Sequence, residues 1–454
     1  MQLRFLLPVG LMFAVLLTNC AGYRTVAERP EPRPLGNNLK TYQAPQQVSV
    51  QDAEQTGLET QDGDLTLKKA LTLALLNNPD LAVFSWEVRA REARALQASL
   101  LPNPEFGVEI ENLAGTGDFS GFDGTETTIQ LSQLIELAGK RRKRTAVAAL
   151  ESDLAAWDFE IKRLDVLTQV TQSFVSVISA QERVALNTEL VRVAKRFVDI
   201  VAQRVQAGAT SPAEESRARV ALANARIQLD RTQRGLEAAR KRLAATWGST
   251  APAFQQAGGQ LDTSLKIPEY DQLLSLLSQN PEIARWAVEM QRRGAVLSLA
   301  KAQSIPDPSI GGGLRRLNQS DDNAFVVGLS IPIPIFNRNQ GATEAARMRI
   351  NQGEWARQAT ELRISTLIAE SYQGLSTAFN EATTLQSSVL PEAQKAFDTI
   401  NAGYKLGKFG FLEVLDAQRT LFDSRSQYLL SLTEYQKAKA DLERLIGQRL
   451  DTIQ

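Results

Sequence analysis

The chain has 454 residues, with 51 lysines and arginines set against 51 aspartates and glutamates, and aromatics make up 6 % of it. A formally neutral chain offers no basic face to nucleic acid. The absence of histidine removes the imidazole of a Ser-His-Asp triad, and Cys20, the single cysteine, excludes an intrachain disulfide or a thiolate cluster. These counts point away from an enzyme and call for no cofactor and no resident metal. The dominance of Ala, Leu, Gln, Arg and Glu favours long helices.

In chain order, residues 1–19 read as a signal peptide. Arg4 precedes an apolar run from Phe5 to Leu17, broken by Pro8 and Gly10, too short to span a bilayer as a mature helix. The run ends in Leu17-Thr18-Asn19-Cys20-Ala21-Gly22, which resembles a bacterial lipobox and makes Cys20 the expected lipidation site. A plain signal peptide with an incidental cysteine is the alternative. Ala21, in place of an aspartate, points to the outer membrane and its lipid. Residues 20–63, rich in Pro, Gln, Glu and Asn, read as a lipidated N-terminus and extended tether. No later stretch has 18 uncharged apolar residues, so any membrane crossing must use strands.

The body of the chain is a duplication. Leu75-Leu76-Asn77-Asn78-Pro79-Asp80-Leu81 recurs as Leu277-Ser278-Gln279-Asn280-Pro281-Glu282-Ile283, and Leu101-Pro102-Asn103-Pro104 as Ile305-Pro306-Asp307-Pro308. Gly208, Glu214, Ala218, Arg226, Leu243 and Gly248 recur as Gly407, Glu413, Ala417, Arg425, Leu442 and Gly447. A constant offset near 200 residues places one repeat at 64–248 and a second at 269–448, with a linker at 249–268 and a tail at 449–454.

Each repeat predicts the same succession. A short helix (Thr66–Leu76; Tyr270–Ser278) ends at Asn-Pro, and the proline opens the next helix, which runs to about Leu100 or Gln303. Two strands follow. A very long helix (Gly139–Ala207; Gln340–Leu406), a turn at Gly208–Pro212 or Gly407–Gly410 and a returning helix to Trp247 or Ile446 complete the unit. About 68 helical residues reach roughly 100 Å. Leu164, Leu167, Val170, Phe174, Val177 and Ile178 form an apolar stripe with Lys162, Arg163, Glu182 and Arg183 on other faces. An ordinary coiled coil would show the same stripe.

Among the strands, Phe106, Val108 and Ile110 alternate with Gly107, Glu109 and Glu111, and Thr127, Ile129 and Leu131 with Thr128, Gln130 and Ser132. The second pair is predicted at Ser309–Leu314 and Ala324–Ile335. One apolar and one polar face over about ten residues suits lipid outside and water inside. Four strands cannot close alone, and open edges are not tolerated in lipid. Pooling by three copies gives a 12-stranded barrel; a soluble four-stranded sheet is the competing reading.

With these features the chain resembles the TolC family of outer membrane factors. The resemblance implies a mainly α protein with a transmembrane β-barrel: long helical hairpins forming a periplasmic tunnel below a trimeric 12-stranded barrel. Leu131–Arg141 (LSQLIELAGKR) and Leu329–Gly341 (LSIPIPIFNRNQG) resemble the heavy-metal branch of CzcC-like and CusC-like ducts, except that Ala138 stands where that branch usually has glycine.

The family's periplasmic gate carries over to Tyr404, the gate tyrosine, to Glu413 and Asp416, its acidic rings, and to Glu214, an acidic partner in the first hairpin. Phe409 stands where the prototype has arginine, with Lys408 beside it. Glu413 and Asp416 also suit the first turn of a helix, where negative charge is favourable. The implied partners are two further copies of the chain, a periplasmic adaptor protein and an inner-membrane RND-type pump. The implied function is a passive export duct for heavy-metal cations. A multidrug or organic-solute duct of the same fold is the alternative, and an adaptor lipoprotein a more distant one.

Overall fold

The computed structural model describes residues 29–45, 63–263 and 267–453. The expected signal peptide and Cys20 lie outside them. The described chain divides into two units. The first holds Arg29, Glu87–Ala156 and Arg285–Gln358; the second takes its described residues from Pro30–Trp86, Trp157–Ala284 and Ala359–Gln454.

In order, the elements of the first repeat are α1 (Leu67–Asn77), α2 (Pro79–Ser99), β1 (Glu105–Glu111), β2 (Glu126–Leu134), α3 (Lys140–Gln206) and α4 (Pro212–Ala245). Those of the second are α5 (Tyr270–Ser275), α6 (Pro281–Ala302), β3 (Ser309–Leu317), β4 (Asp322–Ser330), α7 (Gln340–Thr384), α8 (Leu390–Lys405) and α9 (Phe411–Ile446). Helix α3 runs for 67 residues, roughly 100 Å at the ordinary rise.

In the unit that contains the sheet, β1-β2-β3-β4 pair antiparallel in sequence order. Register places Phe106, Val108, Ile110, Ile129, Leu131, Leu314, Phe325, Val327 and Leu329 on one face, and all are exposed. The other face carries Glu105, Glu109, Glu111, Glu126, Thr128, Gln130 and Arg315. Strand β4 ends at Ser330 rather than at Ile335 as expected. Pro332 and Pro334 have no N–H to give a ladder, and Ile333, Ile335 and Phe336 stand exposed.

Below the strands, polar contacts account for the residue types of the LSQLIELAGKR segment. Lys140 pairs with Asp307 at 2.7 Å, and Asp307 also accepts the Leu137 N–H at 2.7 Å. Arg144 holds the Glu136 carboxylate and donates to the carbonyls of Ala98 (2.9 Å) and Leu100 (3.1 Å), the open end of α2. Ala138 sits at φ 56° and Gly139 at φ 66°. This is the left-handed region, where glycine is the unstrained choice and alanine is held against its preference.

In the other unit, both Asn-Pro junctions use the asparagine in the same way. Asn78 donates its amide to the Thr246 carbonyl (2.7 Å) at the end of α4 and accepts from the Leu81 N–H (2.9 Å). Asn280 donates to the Leu445 carbonyl (2.8 Å) in α9 and accepts from the Glu282 N–H (2.9 Å). Each asparagine thus caps the helix it precedes and ties down the returning helix of its own repeat. A core of Leu273, Ile364, Ile368, Leu375, Tyr435, Leu442 and Ile446 packs beside the second junction.

Two other features concern single segments. Residues 30–45, within the expected extended tether, lack helix and strand and are held to the body of the unit: Arg33 N–H donates to Glu160 (2.8 Å), Leu35 N–H to the Gly447 carbonyl (3.0 Å) and Ala44 N–H to Ser85 (2.7 Å). The long helix expected from Gln340 to Leu406 is interrupted by a π-turn at Leu385–Val389, just before Pro391. Proline in a helix interior has no N–H and clashes with the preceding turn, so a wider turn accommodates it.

Candidate functional site

The gate residues expected from the sequence lie where α3 turns into α4 and where α8 turns into α9. Both turns begin with glycine in the left-handed region, Gly208 at φ 76° and Gly407 at φ 73°, the ordinary way to end a helix. In the first turn Ser211 caps α4 by accepting the Ala213 N–H, and Pro212 occupies its first position. In the second, Lys408 N–H donates back to the Gly403 carbonyl at 2.9 Å.

The two turns share one core. Phe197, Val201 and Ala218 of the first hairpin pack with Ala393, Phe397, Tyr404, Phe411, Val414, Ala417 and Leu421 of the second. Phe197 meets Phe397 edge-on at 6.4 Å and Phe411 at 6.3 Å, geometry that adds roughly 0.5–1.5 kcal/mol per pair beyond burial.

Tyr404 lies at the centre, 1 % exposed, its ring 6.0 Å from Phe411. Arg204, near the end of α3, lays its guanidinium 4.7 Å from the centre of the Tyr404 ring and donates from Nη1 to the Tyr404 carbonyl at 2.7 Å. One arginine thus grips both the ring and the backbone of one tyrosine across the two hairpins. The Tyr404 hydroxyl has no hydrogen-bond partner among the described residues. Burial pushes its pKa up; Arg204 opposes that and Glu214 adds to it. The phenol is therefore neutral across the physiological range.

Glu214, in the first turn of α4, accepts a short hydrogen bond from Thr210 and contributes its charge to the Tyr404 environment. The structure thus brings Tyr404 and Glu214 together. It does not bring Glu413 and Asp416 to them: both are exposed on α9, with no partner among the described residues. The Glu413 carboxylate folds back over Gly410, the residue that precedes α9, as a third-position glutamate does at a helix start. Phe409 lays its ring on Gly403, where a Cβ would overlap it; that is its structural role in place of an arginine.

Arg204 escapes sequence reasoning because a basic residue in the last turn of a helix is already favourable to the helix dipole. Its target lies 200 residues away. Among the described residues no group of three or more His, Cys, Asp or Glu is arranged to hold a metal ion, and no helix is long and apolar enough to cross a membrane.

The sequence pattern of outer membrane efflux proteins matches residues 70–249 and 273–448. The chain belongs to the outer membrane efflux protein family. This efflux protein is 35 % identical over 386 residues to the cobalt-zinc-cadmium resistance protein CzcC of Cupriavidus metallidurans, covering 85 % of this chain and 91 % of the relative. It is 27 % identical over 380 residues to the pyoverdine export outer membrane protein OpmQ of Pseudomonas aeruginosa, covering 78 % of this chain and 79 % of that one.

Its fold is that of CusC, a solved transmembrane channel, at a TM-score of 0.71 and 20 % identity, over 90 % of this chain and 99 % of CusC. The protein is an outer-membrane efflux channel, in family and in fold. Glu214 falls within the first matched segment; Tyr404, Glu413 and Asp416 fall within the second.

Proposed function

We propose that three copies of this chain, each contributing four strands to one closed barrel, form a passive outer-membrane duct for heavy-metal cations, anchored through a lipid on Cys20. A periplasmic adaptor and an inner-membrane RND-type pump supply the energy and deliver the cargo. The hairpin tips close the duct, with Tyr404 and Glu214 at the closure and rings of Glu413 and Asp416 drawing cations to it. The repeats act as units bounded near 64–248 and 269–448.

The observation that carries the metal reading is the 35 % identity to CzcC across 91 % of that protein. Chain chemistry is compatible with it: without histidine, and with one cysteine expected at the lipidated terminus, the conduit passes an ion without chelating it.

A strain lacking the gene, challenged in parallel with zinc, cobalt, cadmium, copper, silver and a panel of organic toxins and siderophores, tests this reading. Sensitivity to one or more metals, restored by the gene, is the expected result. Sensitivity to organic solutes alone overturns the metal reading and favours the export of organic solutes, for which the similarity to OpmQ speaks.

A further inference from the structure

The duplication supplies an internal comparison within the unit that contains the sheet. In the first repeat Arg91 on α2 donates to Glu87 at 2.6 Å and to Glu151 on α3 at 3.3 Å. Its counterpart in the second repeat, Arg293 on α6, makes the same two bonds, to Glu289 at 2.7 Å and to Gln352 on α7 at 3.4 Å. The frame is retained, but the second carboxylate has become a neutral amide. By the same offsets, Ala90 and Ala148 of the first repeat correspond to Arg292 and Arg349. One arginine between two carboxylates is thus exchanged for three arginines beside one carboxylate, Glu289, which Arg292 and Arg293 share.

These side chains border a cavity of about 240 Å³, lined by Arg292, Arg293 and Val296 of α6 and Ala346, Arg349 and Gln352 of α7. Spacings of three and four put each set on one face of its helix. Arg293 is fixed in place: its guanidinium lies 6.0 Å from the centre of the Trp286 ring and donates to the Arg349 carbonyl. Gly353, where the first repeat has Ser152, makes room for it, since a Cβ there would stand 3.0 Å from Arg293 Cδ and 2.8 Å from Met290 Sδ. Arg349 has no carboxylate partner among the described residues, and Glu151, already held by Arg91, stands 3.8 Å from Arg292. The side chains of Arg292 and Arg293 are only 26 % and 16 % exposed, so their charge is weakly solvated and an excess of it is costly without a counter-charge.

We propose that this cavity binds a compact oxyanion of the phosphate type, which bridges α6 and α7. Guanidinium forks recognise phosphate oxygens in pairs, and three forks arriving from two helices meet more oxygen atoms than a planar carboxylate offers. The cavity is smaller than the roughly 300–1,000 Å³ of pockets for organic ligands, and a single tetrahedral anion suits it. The anion supplies in the second repeat the negative charge that Glu151 supplies in the first. A ligand of the folded state alone stabilises that state by mass action, so occupancy is readable as resistance to unfolding.

The full-length protein, purified in detergent without phosphate, is titrated with inorganic phosphate by calorimetry and melted in phosphate or in chloride at equal ionic strength. Saturable binding and a higher melting temperature in phosphate are expected. Arg349→Ala, which installs the first repeat's residue, is expected to weaken phosphate binding at least about tenfold, the effect of losing one charge-assisted hydrogen-bonding group. Gln352→Glu restores the first repeat's carboxylate beside Arg293. It is expected to abolish phosphate binding while melting in chloride no lower than the parent, which separates loss of the site from loss of the fold. Phosphatidylglycerol in mixed micelles, added to the phosphate-free protein, identifies the source of the anion. If it raises the melting temperature and inorganic phosphate displaces it, the occupant is a lipid headgroup; if the free ion alone acts, the occupant is soluble phosphate. Equal melting in phosphate and chloride, with no heat of binding from either probe, overturns the proposal, as does a Gln352→Glu protein that binds phosphate as tightly as the parent.

Discussion

Arg204 makes two contacts with a single partner, and they differ in what they ask of Tyr404. The cation–ring contact needs only the aromatic face, worth from about 0.5 kcal/mol when exposed to about 2 when desolvated. The bond to the Tyr404 carbonyl (2.7 Å) needs only the backbone and, with a charged donor, is worth about 1.5–3 kcal/mol. Neither uses the hydroxyl. On the proposed role of the hairpin tips as the closure of the duct, Arg204→Ala is expected to weaken that closure by about 3 kcal/mol, raising the open population about a hundredfold. Larger single-channel conductance and entry of bulky antibiotics are the readouts.

Tyr404→Phe keeps both contacts and removes a buried hydroxyl without a partner, so it is expected to close at least as well as the parent. Leakage through the Phe variant refutes this account and implies that the hydroxyl itself is the latch. At this scale the sequence told half the story. Tyr404 and Glu214 stand out by resemblance to a known gate, but nothing in the pattern pairs either with Arg204, whose role exists only once two hairpins meet.

Elements were legible where a rule is local. Asn-Pro stops one helix and starts the next through constraints on two adjacent residues; the first junction forms as expected, whereas before the second the α-helix ends at Ser275 instead of Ser278 and a 3₁₀ turn at Leu277–Gln279 leads into Asn280-Pro281. The π-turn at Leu385–Val389 was not legible, because Pro391 reads as a helix break or as a kink with equal force until neighbouring helices decide between them. The end of α9 carries a further property hidden from the sequence. Burial pushes up the carboxyls of Glu443 and Asp441 on α9 and of Asp165 on α3, against the opposing pull of Arg444 on the two aspartates.

An acid whose pKa is higher folded than unfolded holds its proton more tightly in the folded state. Its contribution is intact below the ordinary carboxylate range and is lost as pH rises through the elevated value. Glu443 also accepts the Leu450 N–H at 3.0 Å, a bond that glutamine can keep. Glu443→Gln is thus expected to raise the melting temperature at neutral pH and to flatten its decline between the ordinary glutamate pKa and neutrality. A steeper decline in the variant than in the parent contradicts the assignment. Thermal unfolding followed by circular dichroism over a pH series measures it.

For the molecule as a whole, the decisive fact is that, among the described residues, the edge strands β1 and β4 of the four-stranded sheet pair with no further strand, beside a face of exposed large apolar residues. Water penalises that face and lipid penalises those edges. The conflict disappears when the edges of several copies pair with one another, and 8 strands leave about enough room for side chains whereas more leave a channel. The face assignment can be tested with two adjacent residues. Val327 is 83 % exposed on the apolar face; Val326 is half-buried on the polar face, opposite Gly313. An arginine facing lipid at mid-bilayer costs about 2–4 kcal/mol per copy, and symmetry repeats that cost in every subunit. Val327→Arg is therefore expected to abolish the membrane-extracted trimer, seen as loss of the threefold mass in native mass spectrometry. Val326→Arg, opposite Gly313 on the face that carries the charged and polar residues, is expected to leave the trimer intact and to lower cation conductance. If the two substitutions do equal damage, the sheet does not separate lipid from water as argued. If Val326→Arg alone abolishes assembly, the two faces of the sheet are reversed.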